Sequence, residues 1–214
     1  MRLVLPSLYV ILDATLLNNS PHECALELAG AGVRLLQYRD KSASARDLLK
    51  TSRALVALLK RHEASLVVND RPDIAALAGA AGVHVGQEDL DPGQARAVVG
   101  EEMWVGASTH NLEQFRTAAA SCADYLAIGP IFATTSKVNP DPVVGLELIR
   151  QLRPLTKKPI VAIGGITLER AAAVIAAGAD SVAVIRDVVC AKRPGEQARR
   201  YLETLGAANQ AAAI

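Results

Sequence analysis

The alternation of short β-rich segments with longer helical segments constrains the fold of this chain more than any other feature. Several of the β-rich segments are nearly continuous apolar runs, which is typical of parallel strands covered on both faces. Eight strands are predicted, at residues 8–12, 33–38, 65–69, 82–85, 104–107, 125–128, 160–163 and 181–185.

Helix start signals lie between these segments. Ser20 and Glu23 form a capping box, with Pro21 at the first helical position. Further N-caps are predicted at Ser44, Asp91, Asn111 and Thr167.

A weak internal repeat supports the same organisation. Residues 29–33, 79–83 and 177–182 each end a helix with small residues and glycine and then enter a β-branched strand. A β-α unit of about 25 residues that recurs eight times predicts an α/β fold, a closed (β/α)8 TIM barrel. Residues 1–214 are expected to form one such domain, with a C-terminal tail that frays from about residue 207.

Composition excludes several classes of protein. The formal net charge of +1 gives no footprint for nucleic acid. No apolar run approaches the roughly 20 residues that span a bilayer, and no secretory signal is recognisable. We therefore expect a cytoplasmic protein without membrane partners, whose oligomeric state, a homo-oligomer included, is open. Cys24, Cys122 and Cys190 are expected to be buried, reduced thiols.

In a TIM barrel the active-site groups lie at the C-terminal ends of the strands. Gln37, Arg39 and Lys41 follow the second strand, and alternate residues of an extended segment point the same way. Two cations and an amide at the barrel mouth suit a phosphate or diphosphate. The alternative is a solvated loop in which Arg39 pairs with Asp40.

Two carboxylates end neighbouring strands. Asp70 follows the third strand and Asp89 follows the fourth. Together they could hold Mg²⁺, which commonly takes one or two carboxylates in addition to waters and substrate phosphate. Alternatively, they cap the next helices, or Asp70 pairs with Arg71.

Polar residues also follow the fifth strand. Ser108 or Thr109 could donate to substrate and His110 could act as a base, although these residues could equally cap the next helix. His84 lies inside the fourth strand and is expected to be a hydrogen-bonded packing residue.

The last three strands offer a second anion site. The long loop after the sixth strand carries three hydroxyls and a lysine at residues 134–137, which suit an oxyanion or form an ordinary polar loop. Gly164 and Gly165 follow the seventh strand, where barrels commonly bind a monophosphate, and Arg186 follows the eighth. Two anion sites on one rim predict two phosphorylated substrates and a group transfer between them.

The chain resembles the thiamine phosphate synthase (thiamine-phosphate pyrophosphorylase) family over residues 8–188. The motifs that carry the resemblance occur in order, each after the expected strand. They are Gln37-x-Arg39-x-Lys41, Asn69-Asp70-Arg71, the segment 82–89, Ser108-Thr109-His110, the segment 129–132 with a following Thr-x-Ser-Lys, and the segment 163–166.

The resemblance implies a pyrimidinylmethyl transferase. It would join 4-amino-2-methyl-5-pyrimidinylmethyl diphosphate to a thiazole phosphate, carboxylated or not, and release pyrophosphate. Residues implied to bind the pyrimidine diphosphate are Gln37, Tyr38, Arg39, Asp40, Lys41, Asn69, Ser108 and Lys137, and of these Arg39, Lys41, Ser108 and Lys137 would be catalytic. Residues implied to contact the thiazole phosphate are Thr134, Thr135, Ser136, Gly165, Ile185 and Arg186, and Asp70 and Asp89 would hold Mg²⁺.

The chain departs from the family pattern at Ser136, where threonine is usual, and at Arg186, where serine is frequent. Three alternatives stay open. A thiazole tautomerase of the same barrel family would need no diphosphate site. A sugar-phosphate isomerase or epimerase would need a base, for which Asp13 is the candidate. A non-catalytic barrel that binds thiamine precursors would release no pyrophosphate.

Overall fold

The predicted TIM barrel is confirmed. The computed structural model describes residues 5–134 and 141–212, with side chains described as far as residue 208. Eight parallel strands form one closed barrel in sequence order, and β1 pairs with both β2 and β8. The strands are β1 Leu8–Asp13, β2 Leu35–Arg39, β3 Ser65–Asn69, β4 Gly82–Val85, β5 Trp104–Thr109, β6 Tyr125–Ile128, β7 Ile160–Ile163 and β8 Ser181–Val184.

A helix follows each strand and covers the outside of the barrel. These helices are α1 Pro21–Gly30, α2 Ala45–Lys60, α3 Pro72–Ala78, α4 Pro92–Val99, α5 Leu112–Ala120, α6 Gly145–Leu152, α7 Leu168–Ala176 and α8 Arg186–Val189. A 3-10 turn, Arg153–Leu155, extends α6, and α9, Pro194–Ala212, closes the chain.

Strand boundaries differ from prediction by one or two residues at five strand ends, in four strands. β1 reaches Asp13, β5 reaches Thr109 and β8 stops at Val184. β2 begins at Leu35 instead of residue 33 because the Val33 N–H bonds the Leu28 carbonyl and so closes the preceding helix. At its other end β2 continues to Arg39, which pairs with Asp13 of β1.

The helix caps explain where most helices begin. Ser20 and Glu23 form the predicted capping box, and Asp91 forms another with Gln94. Ser44 and Asn111 each accept a backbone N–H in the first turn of their helices. Thr167 occupies the N-cap of α7 without a side-chain bond. The Leu168 N–H in the first turn of α7 bonds to the Asp187 carboxylate instead.

Strand residues alternate between two hydrophobic cores. Outward side chains such as Val10 and Leu36 pack against the helices, whereas inward side chains such as Tyr9 and Tyr125 fill the barrel interior. Ala127 and Ala183 also point inward, nearer the C-terminal ends of their strands. These small side chains leave the upper part of the barrel open as a cavity.

The expectation of three buried thiols is wrong for two of them. Cys24 lies on the inner face of α1, and burial raises the pKa of its thiol to about 11. Cys122 and Cys190 are exposed because they lie in the turn before β6 and at the end of α8. All three are free thiols.

The tail expected to fray is helical as far as Ala212, and Tyr201 and Leu205 bury the middle of this helix against the barrel. In the part of the chain that is described, no helix combines the length and the apolar character needed to cross a membrane.

Candidate active site

A cavity of about 700 Å³ opens at the C-terminal ends of the strands. Its floor is built from inward side chains of the strands, including Tyr9, Val161 and Ala183. Eleven of the sequence-predicted site residues line it, namely Gln37, Arg39, Lys41, Asn69, Asp70, Asp89, Ser108, Thr134, Gly165, Ile185 and Arg186. Residues predicted from separate loops are thus brought together around one opening.

Two other predicted residues do not line the cavity, and three lie outside the described residues. The Tyr38 side chain points outward because it alternates with Gln37 and Arg39, and its hydroxyl donates to Asp40 at 3.2 Å. The Asp40 carboxylate accepts from the Ser42 N–H at 3.0 Å and so shapes the loop rather than the cavity wall. Thr135, Ser136 and Lys137 lie outside the described residues.

Cations and carboxylates alternate on the β1–β3 side of the rim. Arg39 does not pair with Asp40; its guanidinium bonds the buried Asp13 carboxylate on the neighbouring strand. The other oxygen of Asp13 accepts from the Thr15 hydroxyl at 2.6 Å. The Lys41 ammonium lies 3.1 Å from Asp70. Both cations are thus held at the mouth of the cavity, facing the place where an anionic ligand would enter.

Neither of the structural roles considered for Asp70 and Asp89, namely helix capping and an ion pair between Asp70 and Arg71, is found. Arg71 pairs with Asp73, at 2.6 Å, instead of Asp70. Asp70 caps no helix, because α3 begins after Arg71 without a side-chain cap, and α4 is capped by Asp91 and not by Asp89. Both carboxylates are therefore left facing the cavity.

The backbone holds Asp70 in an unusual conformation. Its φ is +62°, in the left-handed region that non-glycine residues rarely adopt and that aspartate tolerates better than most. The Asp70 N–H donates to the His84 carbonyl at 2.8 Å, which ties β3 to β4 at this point. Strain of this kind is frequent at functional sites, and here it places the Asp70 side chain next to Asp89.

The Asp70–Asp89 pair fits a magnesium ion. Partial burial and the adjacent Asp70 carboxylate raise the pKa of Asp89, as expected for two neighbouring carboxyl groups. The Gly86 N–H donates to Asp89 at 2.8 Å and orients it. No cluster of three or more His, Cys, Asp or Glu occurs among residues 5–134 and 141–212, so a protein cage for zinc or calcium is absent there. Two carboxylates at an open rim match the preference of Mg²⁺ for few protein ligands.

The residues at the end of β5 separate into inward and outward groups. Ser108 points into the cavity, and its Oγ lies 2.8 Å from His84 Nε2. Thr109 points outward and donates to the Ala127 carbonyl at 2.7 Å. His110 Nδ1 lies 2.6 Å from the Gly129 carbonyl and binds the β6 loop. Neither of the last two caps α5, because Asn111 does.

The turn after β7 requires glycine. Gly164 and Gly165 have φ values of +99° and +61°, and a Cβ on Gly164 would lie 2.5 Å from Pro130. The loop after β6 folds over this turn, since the Phe132 N–H donates to the Gly164 carbonyl at 3.0 Å. Thr134 is thereby carried to the same part of the cavity wall as Gly165.

The short helix α8 completes this second anion site. It follows β8 directly, as the extra helix of phosphate-binding barrels does, and its first residues line the cavity. Asp187 joins it to its neighbours, because its carboxylate accepts from the Leu168 N–H at 3.2 Å and from the Tyr201 hydroxyl at 2.7 Å. Arg186 is exposed at the rim and has no partner among the described residues.

Some residues of the site were not predicted from the sequence. Arg170 lines the cavity, stacks over the Phe132 ring at 4.6 Å and donates to the Gly165 carbonyl at 2.8 Å. Tyr9 and Tyr125 lie beneath the cavity and contact each other. An isolated glycine inside β5, Gly106, is the sequence signal that could have indicated a close approach there.

A closed barrel with anion-binding groups on two sides of its mouth defines a class: a (β/α)8-barrel protein built to bind phosphorylated ligands. A family model described as thiamine monophosphate synthase matches residues 8–188. The chain belongs to the thiamine monophosphate synthase family.

Individual relatives agree with this assignment. The thiamine-phosphate synthase of Koribacter versatilis is 54% identical over 208 residues, which cover 95% of this chain and 97% of that protein. The corresponding protein of Agrobacterium fabrum is 45% identical, covering 83% and 84%. The solved structure of thiamine phosphate pyrophosphorylase from Pyrococcus furiosus superposes with a TM-score of 0.87 at 32% identity, covering 94% of this chain and 96% of that one.

Proposed function

We propose that this chain joins 4-amino-2-methyl-5-pyrimidinylmethyl diphosphate to a thiazole phosphate, giving thiamine phosphate and pyrophosphate. The observation that carries this proposal is the presence of two different anion sites on one cavity. One has Arg39, Lys41 and a pair of carboxylates, and the other is a glycine turn beside a short helix. A one-substrate isomerase needs only the second of these.

The first site suits a leaving diphosphate. Asp70 and Asp89 would hold Mg²⁺, which when bound neutralises charge on the diphosphate and makes it a better leaving group. Lys41 is mobile enough to exchange Asp70 for a phosphate oxygen, because its side chain is 62% exposed. Arg39 is anchored by Asp13 and presents its remaining donors to the cavity. Charge that develops on the leaving group is thus met by groups already in place.

The reaction breaks the bond between the methylene carbon and the diphosphate oxygen. The electron pair leaves with pyrophosphate, and the amino-substituted pyrimidine stabilises the positive methylene. The thiazole nitrogen then forms the new bond to that carbon and carries the positive charge in the product. No protein nucleophile or base is required, and catalysis consists of positioning and electrostatics.

The second site would hold the thiazole phosphate. Thr134, Gly165 and the start of α8 line that wall, and they offer a hydroxyl and backbone N–H groups to a phosphate. Arg186 stands at its edge as an unpaired cation within the described part of the chain. Contacts from Thr135, Ser136 and Lys137 stay predictions.

The contacts of the possible bases argue against the competing reactions. Asp13, the candidate base of an isomerase, is buried and bonded to Arg39 and Thr15. His84 is bonded through both ring nitrogens. His110, the third candidate base, is bonded through Nδ1 to the Gly129 carbonyl at 2.6 Å. A tautomerase or epimerase would need a base that is available for proton transfer. A cytoplasmic location and a homo-oligomer stay predictions.

The test is pyrophosphate release from the purified protein with both substrates, with either one alone, and with and without Mg²⁺. Release that requires both substrates and Mg²⁺ is the expected result. Binding of both ligands without release would instead indicate a precursor-binding barrel, and release that is indifferent to Mg²⁺ would refute the Asp70–Asp89 site.

A further inference from the structure

A chain of side-chain hydrogen bonds crosses the barrel beneath the cavity. The Gln37 amide donates to the Tyr9 hydroxyl at 2.8 Å, and the Tyr9 and Tyr125 hydroxyls are 3.2 Å apart. The Tyr125 hydroxyl lies 3.1 Å from His84 Nδ1, and His84 Nε2 lies 2.8 Å from Ser108 Oγ. The two ends, Gln37 and Ser108, are predicted substrate-binding residues on opposite strands of the barrel.

The middle of this hydrogen-bond chain is shielded from solvent. Tyr9 is 1% exposed and Tyr125 is 0% exposed. Burial raises the pKa of both phenols, so each remains neutral and carries one proton at ordinary pH. The Tyr9 and Tyr125 rings meet edge to face, and the His84 ring stacks on Tyr125 with centroids 5.5 Å apart. Water therefore does not interrupt the chain between the tyrosines.

A glycine in β5 leaves the space that this arrangement requires. A Cβ on Gly106 would overlap the Tyr125 hydroxyl and would lie 2.5 Å from His84 Nδ1. Only glycine at this position of β5 allows the tyrosine and the histidine to meet inside the barrel.

If every hydroxyl proton bonds within this network, the hydrogen bonds run in one direction. The Tyr9 hydroxyl accepts from Gln37, so its own proton goes to Tyr125, and the Tyr125 proton goes to His84 Nδ1. A neutral imidazole that accepts at Nδ1 carries its proton at Nε2, which then donates to Ser108. The Ser108 proton is left for the cavity at one end, and the Gln37 carbonyl oxygen is left as an acceptor at the other.

We propose that Tyr9, Tyr125 and His84 are positioning residues that form one oriented hydrogen-bond chain and thereby present Ser108 as a donor and Gln37 as an acceptor to the pyrimidine ring. This inference rests on the proposed function. A 4-aminopyrimidine offers the complementary pair, an amine that donates and a ring nitrogen that accepts. A 4-oxopyrimidine offers the opposite pair, which this orientation of the hydrogen bonds matches less well, because the free Ser108 proton and the free Gln37 carbonyl oxygen would face a carbonyl acceptor and an N–H donor the wrong way round.

The direct test is the tautomer of His84, read from ¹⁵N NMR of the ligand-free protein labelled at histidine, with the signal assigned by a His84→Asn variant. The wild-type protein is expected to show the proton at Nε2. Tyr125→Phe removes the donor to Nδ1 and is expected to change the tautomer signal of His84. Tyr201→Phe, which removes another buried tyrosine hydroxyl outside the chain, is the matched control and should leave that signal unchanged.

Steady-state kinetics then test whether the hydrogen-bond chain contributes to binding of the pyrimidine diphosphate. Tyr9→Phe keeps the Tyr125–His84 link and removes the acceptor of Gln37, so we expect about a tenfold rise in KM for the pyrimidine diphosphate. The KM for the thiazole phosphate should not change, which separates positioning from a general structural defect.

A wild-type signal with the proton at Nδ1 would overturn the proposal, and this holds even if Tyr125→Phe does not fold. An unchanged His84 signal in a folded Tyr125→Phe variant would overturn it as well. The NMR experiment uses no substrate, so its outcome is independent of whether the transferase activity itself is found.

Discussion

Asp13 and Arg39 face each other across the β1–β2 ladder and form an ion pair at the mouth of the barrel. The Asp13 side chain is 2% exposed and that of Arg39 is 23% exposed. The buried carboxylate therefore depends on a cation that the proposed reaction also uses. Stability and substrate binding are coupled at this one residue.

A double variant separates the effect of Arg39 on stability from its effect on substrate binding. Arg39→Ala leaves a buried charge without its partner, so we expect the free energy of unfolding to fall by about 2 kcal/mol. Asp13→Asn combined with Arg39→Ala removes that charge and should restore part of the loss, while the KM for the pyrimidine diphosphate stays high. Urea unfolding and steady-state kinetics measure the two effects. A double variant less stable than Arg39→Ala would contradict the interpretation.

Asp89→Asn should reduce pyrophosphate release by about two orders of magnitude and raise the Mg²⁺ concentration needed for half-maximal rate, because it removes one of the two proposed metal ligands. Asp73→Asn is the control, since Asp73 is a carboxylate in the first turn of α3 that pairs with Arg71 at the surface. Equal Mg²⁺ dependence in both variants would show that Asp89 does not hold the metal.

Gly165→Ala should raise the KM for the thiazole phosphate at least tenfold and should destabilise the protein by about 2 kcal/mol. The added methyl group would overlap the Ala133 carbonyl, at a φ of +61° that disfavours alanine. Gly206→Ala, in the helix α9 with no atom within 4 Å of the added Cβ, should instead stabilise the protein by about 0.5 kcal/mol. Thermal unfolding and kinetics of the two variants test this contrast.

A thiol reagent should label two cysteines of the native protein quickly and the third only on unfolding. Cys122 and Cys190 are exposed, whereas Cys24 is buried and its pKa is raised to about 11. The thiolate is the reactive form, so Cys24 stays unreactive at neutral pH for two reasons. Counting labelled sites by mass spectrometry, with and without denaturant, gives the answer. Rapid labelling of Cys24 under native conditions would mean that α1 opens.

Local signals in the sequence were sufficient to predict the fold and much of the rim. The period of the apolar pattern gave the strands, and caps such as Ser20 and Asp91 gave the helix starts. Alternation along β2 explains why Gln37 and Arg39 share the cavity and why the Tyr38 side chain does not. Such relations need only the geometry of one strand.

Relations between distant strands could not be predicted in this way. The Tyr9–Tyr125 contact joins residues 116 positions apart, and no local pattern marks them as a pair. The same holds for Arg39, for which the sequence offered its neighbour Asp40 as an alternative partner and which pairs instead with Asp13, on another strand. Choosing between such partners requires the barrel register, which the sequence alone does not provide.

The two inward alanines, Ala127 and Ala183, have a consequence for the size of the ligands. They lie in the cavity wall on β6 and β8, apart from the charged rim that is proposed to bind phosphate. A single valine at either position would make the cavity smaller without altering any anion contact. Selectivity for the bulk of the heterocycles can therefore change independently of affinity for their phosphates.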